Sequence, residues 1–283
     1  MPIAYPEILS LTGEPFSARY TDRETMLYAL GVGMGADPMN EKELPFVYEN
    51  GLKALPTMAT VIAWGAGGLV GKMGINYLMV VHGEQKVEIH KPLPADADIE
   101  AATRVLGVFD KGAGKGAVIY TETVITEAGG AKLATLVSST FARGDGGFGG
   151  PSEGAPEPHA VPNRPHDSAC ALATRPDQAL IYRLSGDRNP LHSDPNIAKM
   201  AGFPRPILHG LCSYGVACRA VLQTYADYDP ARIKHFDVRF SAPVFPGETI
   251  ETRMWKDGDV ISFECVVLER GVTVIKNGRC VLT

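Results

Sequence analysis

This sequence predicts an α+β fold with an internal repeat, each half an antiparallel sheet wrapped around a helix, and three observations carry the prediction. A stretch rich in Gly, Pro, Ser and Glu over residues 144–168 separates two pieces of similar size, residues 1–143 and 169–283. Its run of Gly144, Gly146, Gly147, Gly149 and Gly150, then Pro151, Pro156, Pro158, Pro162 and Pro165, defeats both helix and strand, so it reads as a covering linker. The two pieces show matching apolar patterns, and those patterns recur in the same order at similar offsets. A single echo could be coincidence; an ordered series points to duplication.

The earliest echo is helical. Asp22 to Gly31 and Asp177 to Gly186 share their apolar spacing and a Tyr-x-Leu, at Tyr28 and Tyr182. Strand patterns come after it. Val87 to Pro94 matches Val238 to Gly247, each an alternating strand running into a Pro-marked turn. A further alternating strand comes next, at Ile99–Val105 and Ile250–Trp255. Two more close each half, Val118–Thr126 and Ala131–Ala142, then Val260–Leu268 and Val272–Leu282. Each half is thus a helical region followed by a meander of at least four strands. The most apolar helix, Leu211–Tyr225, carries Ser213, Gly215, Ala217, Cys218 and Ala220, small residues that let a sheet approach closely. Repeating that arrangement gives two long helices, each wrapped by its own sheet.

Composition narrows the function classes. The chain has 283 residues, 45% hydrophobic and 21% charged, ordinary for a globular protein with a substantial core. A net charge of −5 gives no general affinity for nucleic acid or anionic membrane. Cys170, Cys212, Cys218, Cys265 and Cys280 are odd in number, contain no Cys-x-x-Cys and sit mostly among apolar neighbours, as buried thiols in a reducing compartment do. The seven histidines show no ligand-like spacing, so no metal site is expected. With no secretory signal at the start, no membrane-length apolar run and no peroxisomal address at the end, the expected location is the cytoplasm.

The densest chemistry lies in Gly186-Asp187-Arg188-Asn189-Pro190-Leu191-His192. Pro190 fixes its own φ and pushes Asn189 out of the helical region, so the segment is a loop leaving a helix. In such a loop the Asp187 carboxylate and His192 imidazole can converge on one small volume, and together they suit proton transfer near neutral pH. Turn chemistry alone also explains Gly-Asp-x-Asn-Pro, with Asp and Asn bonding their own backbone. Aligning Tyr28 with Tyr182 puts Gly33 opposite Asp187 and Pro38 opposite His192. The first half therefore lacks the pair, and one active site per chain follows.

The extended run from Tyr182 through Pro195, followed by Ala201-Gly202-Phe203 and Pro206-Ile207-Leu208-His209-Gly210-Leu211, resembles the signature of MaoC-like, (R)-specific type-2 enoyl-CoA hydratases. In the first half, Tyr28-Ala29-Leu30-Gly31-Val32-Gly33, His82-Gly83-Glu84-Gln85, Lys91-Pro92-Leu93-Pro94 and Asp110-Lys111-Gly112 resemble the hydratase module of peroxisomal multifunctional enzymes. The likeness spans nearly the whole chain. It implies a double hot-dog fold, with residues 169–283 catalytic and residues 1–143 shaping the substrate cleft, and a hydratase without the other modules of those enzymes.

The implied reaction is reversible syn addition of water to a trans-2-enoyl-CoA, giving the (R)-3-hydroxyacyl-CoA. Asp187 and His192 supply the acid–base pair acting through one water, with the proton donor to C2 left open. Asn189 orients them or forms the turn. The amide of Gly210, at the start of the Leu211 helix, faces the developing enolate oxygen or merely permits the turn. His209 is expected to pack rather than react. Arg183, Arg188, Lys234 and Arg239 are candidates for the CoA phosphates, with ordinary solvated charge as the alternative for each, and His82 and Gln85 are expected to border the cleft. No cofactor beyond the substrate's coenzyme A is expected, and a homodimer is expected by analogy. A dehydratase acting on acyl-carrier-protein substrates and a non-catalytic acyl-CoA-binding subunit are the alternatives. Tail length stays open, with medium-to-long or bulky chains implied; β-oxidation, polyhydroxyalkanoate supply and sterol side-chain breakdown are the candidate settings.

Overall fold

A computed structural model of the chain describes residues 3–76 and 79–283. The first half begins with strand β1 (Phe16–Tyr20), helix α1 (Asp22–Gly31) and two short helices, α2 (Leu44–Val47) and α3 (Ala59–Ile62). Four strands complete it: β2 (Val80–Ile89), β3 (Ala97–Asp110), β4 (Ala117–Glu127) and β5 (Lys132–Ala142). The second half repeats the plan with β6 (Ser168–Ala173), α4 (Gln178–Tyr182), α5 (Pro195–Met200) and α6 (Gly210–Tyr225). It closes with β7 (Ile233–Phe240), β8 (Thr249–Asp257), β9 (Val260–Val267) and β10 (Val272–Leu282). Six of the eight long strands match the sequence pattern closely, while β2 and β7 begin seven and five residues before the expected Val87 and Val238. The edge strands β1 and β6, five and six residues long, are additions.

All ten strands form one antiparallel sheet in the order β1-β3-β4-β5-β2-β7-β10-β9-β8-β6. Read outward from its middle, that order is the same on both sides once each strand is replaced by its counterpart. The halves therefore meet at a seam, β2 against β7, paired from Glu84↔Arg239 to Glu88↔His235. At the same pseudo-twofold, Tyr28 of α1 packs on Tyr182 of α4 with ring centroids 6.0 Å apart. The two tyrosines aligned by sequence are neighbours in space.

The helices form for local reasons. Thr21 precedes α1, and the Glu24 carboxylate accepts its backbone N–H at 2.9 Å and its hydroxyl at 2.6 Å, the closed end of a capping box. Asp194 caps α5 by accepting from Asn196 N at 2.8 Å, with Pro195 at the first helical position. Helix α6 has every residue from Leu211 to Leu222 buried, as only a helix enclosed by sheet can.

One expectation needs correcting. The sequence suggests a long helix in each half; α6 has no such counterpart among the described residues of the first. Its place is taken by a 3-10 turn at Pro56–Met58, the single turn α3 and a second 3-10 stretch at Ala66–Lys72. Gly65 and Gly68, at φ +80° and +53°, break the chain there, since left-handed residues cannot continue an α-helix.

The main core runs through both halves, from Val87, Ile99 and Leu136 to Phe236, Met254 and Phe263 around α6. A smaller apolar cluster, Ile8, Leu69, Met73, Val105, Val108 and Ile119 among its members, sits apart under the first-half sheet. Arg219 of α6 reaches across the halves to the buried Glu43, Nη2 to Oε1 2.7 Å, and Glu43 also accepts from Gly35 N at 2.8 Å. The segment after β5 is irregular but pinned along its length. The Asp110 carboxylate accepts N–H groups from Gly147 and Gly149 at 2.7 and 2.9 Å, and these bonds hold its carboxyl below the usual carboxylate range. Farther on, His159 bonds Ser262 at 2.8 Å and the Arg164 carbonyl accepts from Trp255 at 2.7 Å.

Candidate active site

Helix α4 ends in a 3-10 turn at Arg183–Ser185, and Gly186 then adopts φ +142°. A Cβ there would stand 2.9 Å from the Trp64 ring, so only glycine lets the loop pass beneath that indole. Asp187 and Asn189 shape the next turn of chain. Asp187 Oδ1 accepts from Asn189 N at 3.0 Å, and Asn189 Oδ1 accepts from Leu191 N at 3.0 Å, opening the Pro190–His192 turn. His192 is thereby carried back over the start of α6.

The acid and the imidazole converge, with His192 Nε2 3.9 Å from Asp187 Oδ2. The Ile207 carbonyl lies 2.9 Å from His192 Nδ1. A carbonyl only accepts, so Nδ1 carries the hydrogen and the neutral ring turns the Nε2 lone pair toward Asp187. Burial pulls the His192 pKa below its ordinary value, against the bond to Ile207 and the charge of Asp187, which keeps the neutral base populated. Two acceptors at this separation are too far apart to bond directly and suit one water donating to both.

His209 fixes this arrangement from beneath. Its ring stacks on His192, centroids 3.7 Å apart with planes inclined by 25°. Its Nε2 donates to the Asp187 carbonyl at 3.1 Å. Burial, then the neighbouring His192, push its pKa down to about 3, so the ring is neutral at neutral pH. The next residue, Gly210, opens the sixteen-residue helix α6, where the leading N–H groups have no acceptor within the helix and the dipole favours negative charge. His209 thus touches both members of the pair, the Asp187 carbonyl and the His192 ring, and directly precedes the first residue of α6.

Asp187, His192 and His209 have possible metal-ligand atoms within 4.8 Å of one another, a cluster that sequence spacing did not reveal. Their orientation suits proton handling better. Near-parallel rings 3.7 Å apart put a shared ion about 2 Å out of each ring plane, against a metal–nitrogen bond of about 2.1 Å.

The remaining candidates divide. His82 and Gln85 line a cavity of about 510 Å³ that also touches Trp64 and Leu211, and so border the cleft. The His82 ring meets Phe240 edge-on at 5.0 Å, and burial pushes its pKa down to about 4 against the charge of Asp187. Arg183 also lies near the pair: its charge acts on His209, and its Nε is buried without a hydrogen-bond partner. Arg188 faces a separate groove of about 540 Å³ with Arg23, Met26 and Leu30.

Three candidates fit less well. Asn189 is exposed and its carboxamide oxygen is spent on the turn, which favours the turn-forming role. On β7, Phe240 faces the site, and a Cβ on Gly210 would lie 3.4 Å from its ring. The preceding residue, Arg239, points to the opposite face, where its charge acts on Tyr120. Lys234 is exposed, and six residues of strand put it about 20 Å from Phe240. The structure brings neither Lys234 nor Arg239 to the acid–base pair. Missing from the sequence reading are the stacking of His209 and the Trp64 cover, contacts between positions far apart in the chain.

Comparison with known proteins agrees with this geometry. Residues 158–278 match the MaoC like domain, and residues 18–144 match the MFE-2 hydratase 2 N-terminal domain. The chain is 40% identical to enoyl-CoA hydratase ChsH3 of Mycobacterium tuberculosis, over 98% of both chains. It is 44% identical to mouse peroxisomal multifunctional enzyme type 2 over 93% of its own length, and spans 36% of that longer protein. The crystal structure of a MaoC-like dehydratase from Phytophthora capsici superimposes with a TM-score of 0.88 at 37% identity, covering 99% of each chain. The fold is that of the hot-dog dehydratases. The chain belongs to the MaoC-like hydratase 2 family.

Proposed function

We propose that this protein hydrates trans-2-enoyl-CoA thioesters to (R)-3-hydroxyacyl-CoAs, and dehydrates them in reverse, within fatty acyl-CoA metabolism. The observation that carries this reading is the Asp187 Oδ2 to His192 Nε2 gap of 3.9 Å, two acceptors directed at one water-sized position. The water's oxygen forms the new bond to C3 as one of its protons passes to the pair. A proton returns from the pair to C2 on the same face, so the net addition is one water. Electron density displaced from the double bond collects on the thioester oxygen, which the Gly210 amide and the α6 dipole stabilise. The pair performs both transfers without a cofactor beyond the coenzyme A of the substrate.

Supporting features extend to the rest of the substrate. Arg188 and Arg23 flank a groove with room for part of the CoA moiety, and the cavity beyond His82 receives the acyl tail. All five cysteines are free thiols, which suits the cytoplasm, and a homodimer checked by sedimentation equilibrium is part of the same reading. Among the described residues no helix is long and apolar enough to cross a membrane.

The test is hydration of enoyl-CoAs of several lengths with chiral analysis of the product. Asp187→Asn and His192→Gln are each expected to lower kcat by roughly 10²- to 10⁴-fold while the protein stays folded. Turnover to the (S)-alcohol, or full activity in either variant, would overturn the assignment.

A further inference from the structure

The wall of the tail cavity has an unusual composition. Its sheet side presents Thr103, Thr121, Thr123, Ser138 and Thr140 together with Gln85, beside the apolar Val80, Val81 and Leu136. Four of these hydroxyls pair across strands, Thr103 with Thr123 at 2.9 Å and Thr121 with Ser138 at 3.0 Å. Each pair shares one hydrogen between its two oxygens, leaving a second hydrogen and lone pairs for a guest. The side opposite the sheet is apolar, with Leu69, Val70 and Met73 from the broken-helix segment. This hydroxyl band also separates the two apolar clusters of the first half, with Ile99 and Ile125 on one side and Val105 and Ile119 on the other.

The second half provides an internal control. Ile99-Glu100 corresponds to Ile250-Glu251, so the facing pair Thr103↔Thr123 corresponds to Met254↔Phe263. By the same register Thr121↔Ser138 corresponds to Ile261↔Cys280. All four counterparts are fully buried and apolar, in the core that packs around α6. The same positions on the same fold thus carry hydroxyls only where a cavity replaces the helix. Lining a cavity with hydroxyls gives a saturated tail no compensation for the water it displaces, whereas a tail with its own oxygen can replace those hydrogen bonds.

The band begins beside the reacting groups. His82, which lies in the field of Asp187, faces Thr140 across β2 and β5. From there the band passes Ser138 and Thr121 and ends at Thr123 and Thr103, two strand spacings across to β3 and four residues along, about 16 Å from Thr140. Building on the hydratase reading above, we infer that this cavity selects enoyl thioesters whose distal acyl tail carries a hydroxyl or oxo oxygen.

Two measurements test the inference. In the first, kcat/KM is compared for enoyl-CoAs of matched length with and without a hydroxyl or oxo group on the distal tail. The comparison is made in the native protein and in the double variant Thr103→Val/Thr123→Val. Removing both partners leaves no orphaned hydroxyl, and valine fits the strand as threonine does. The oxygenated substrate should be preferred by roughly 10-fold or more in the native protein, and the preference should vanish in the variant. A preference for the unsubstituted tail, or a ratio that the variant leaves unchanged, would overturn the inference. The second measurement is calorimetric binding of saturated acyl-CoAs with the same two kinds of tail, which needs no turnover. If no enoyl-CoA is hydrated, the hydratase reading fails, yet tighter binding of the oxygenated tail still upholds the cavity's selectivity and equal binding removes it. Thr121→Val/Ser138→Ala repeats the comparison at the neighbouring pair should the first variant fail to fold.

Discussion

His209 touches both Asp187 and His192, and the placing of both depends on it. Replacing it by Phe keeps a ring against His192 and removes the hydrogen bond to the Asp187 carbonyl. Because small misplacements of reacting groups are costly, kcat is expected to fall roughly 10- to 100-fold with KM little changed, as steady-state kinetics would show. Gly186→Ala forces a Cβ toward Trp64 at an unfavourable φ and is expected to cost about 1–3 kcal/mol, measured by urea unfolding. The buried histidines also set a pH response. His82, His192 and His209 all have folded pKa values below the ordinary histidine value, chiefly through burial. Below about pH 6.5 the unfolded chain therefore binds more protons than the folded one. Stability should be complete above that pH and fall as acid is added, by up to about 1.4 kcal/mol per pH unit for each histidine; a Tm series checks the slope. The Gly186–His192 loop was legible because its acid, imidazole and proline are consecutive in sequence. The stack of His209 on His192 was not, since a seventeen-residue separation carries no periodic signal of contact.

At the scale of elements, the long strands announced themselves through strict alternation, whereas β1 and β6 are too short to show a period and gain their shape from a single neighbour. The missing first-half helix was hidden for another reason. Its segment is apolar enough to be helical, and the break is marked by its glycines, of which Gly65 and Gly68 take positive φ. The hydroxyl band was equally inconspicuous, because threonine is an ordinary strand residue and its facing partner is not evident from one strand alone. The Gly35–Glu43 loop of the first half is tied to α6 of the second by the Arg219–Glu43 pair, 9% and 1% exposed at its two side chains. Arg219→Met leaves the Glu43 carboxylate buried without its cation and is expected to destabilise by about 3–5 kcal/mol. Adding Glu43→Gln should recover part of that loss, and a double-mutant cycle by chemical denaturation measures it.

For the molecule as a whole, continuity of sheet and core predicts cooperative behaviour. Residues of both halves share one apolar cluster and the β2–β7 seam joins their sheets, so unfolding is expected as a single transition with equal van't Hoff and calorimetric enthalpies. Two resolved transitions in scanning calorimetry would contradict that. The repeat was visible in sequence through paired motifs, but the merging of two sheets into one was not, because edge-to-edge pairing leaves no pattern of its own. The pinned segment that leads from β5 to β6 has a further consequence. Two separate copies meeting at such a seam would come apart on dilution, and each would need to be stable enough to wait for its partner. A covalent tether holds the partners at an effective concentration near the millimolar range regardless of how dilute the protein becomes. Under that protection one copy can shed the helix that would otherwise be its own support, and specific activity should remain constant however far the enzyme is diluted.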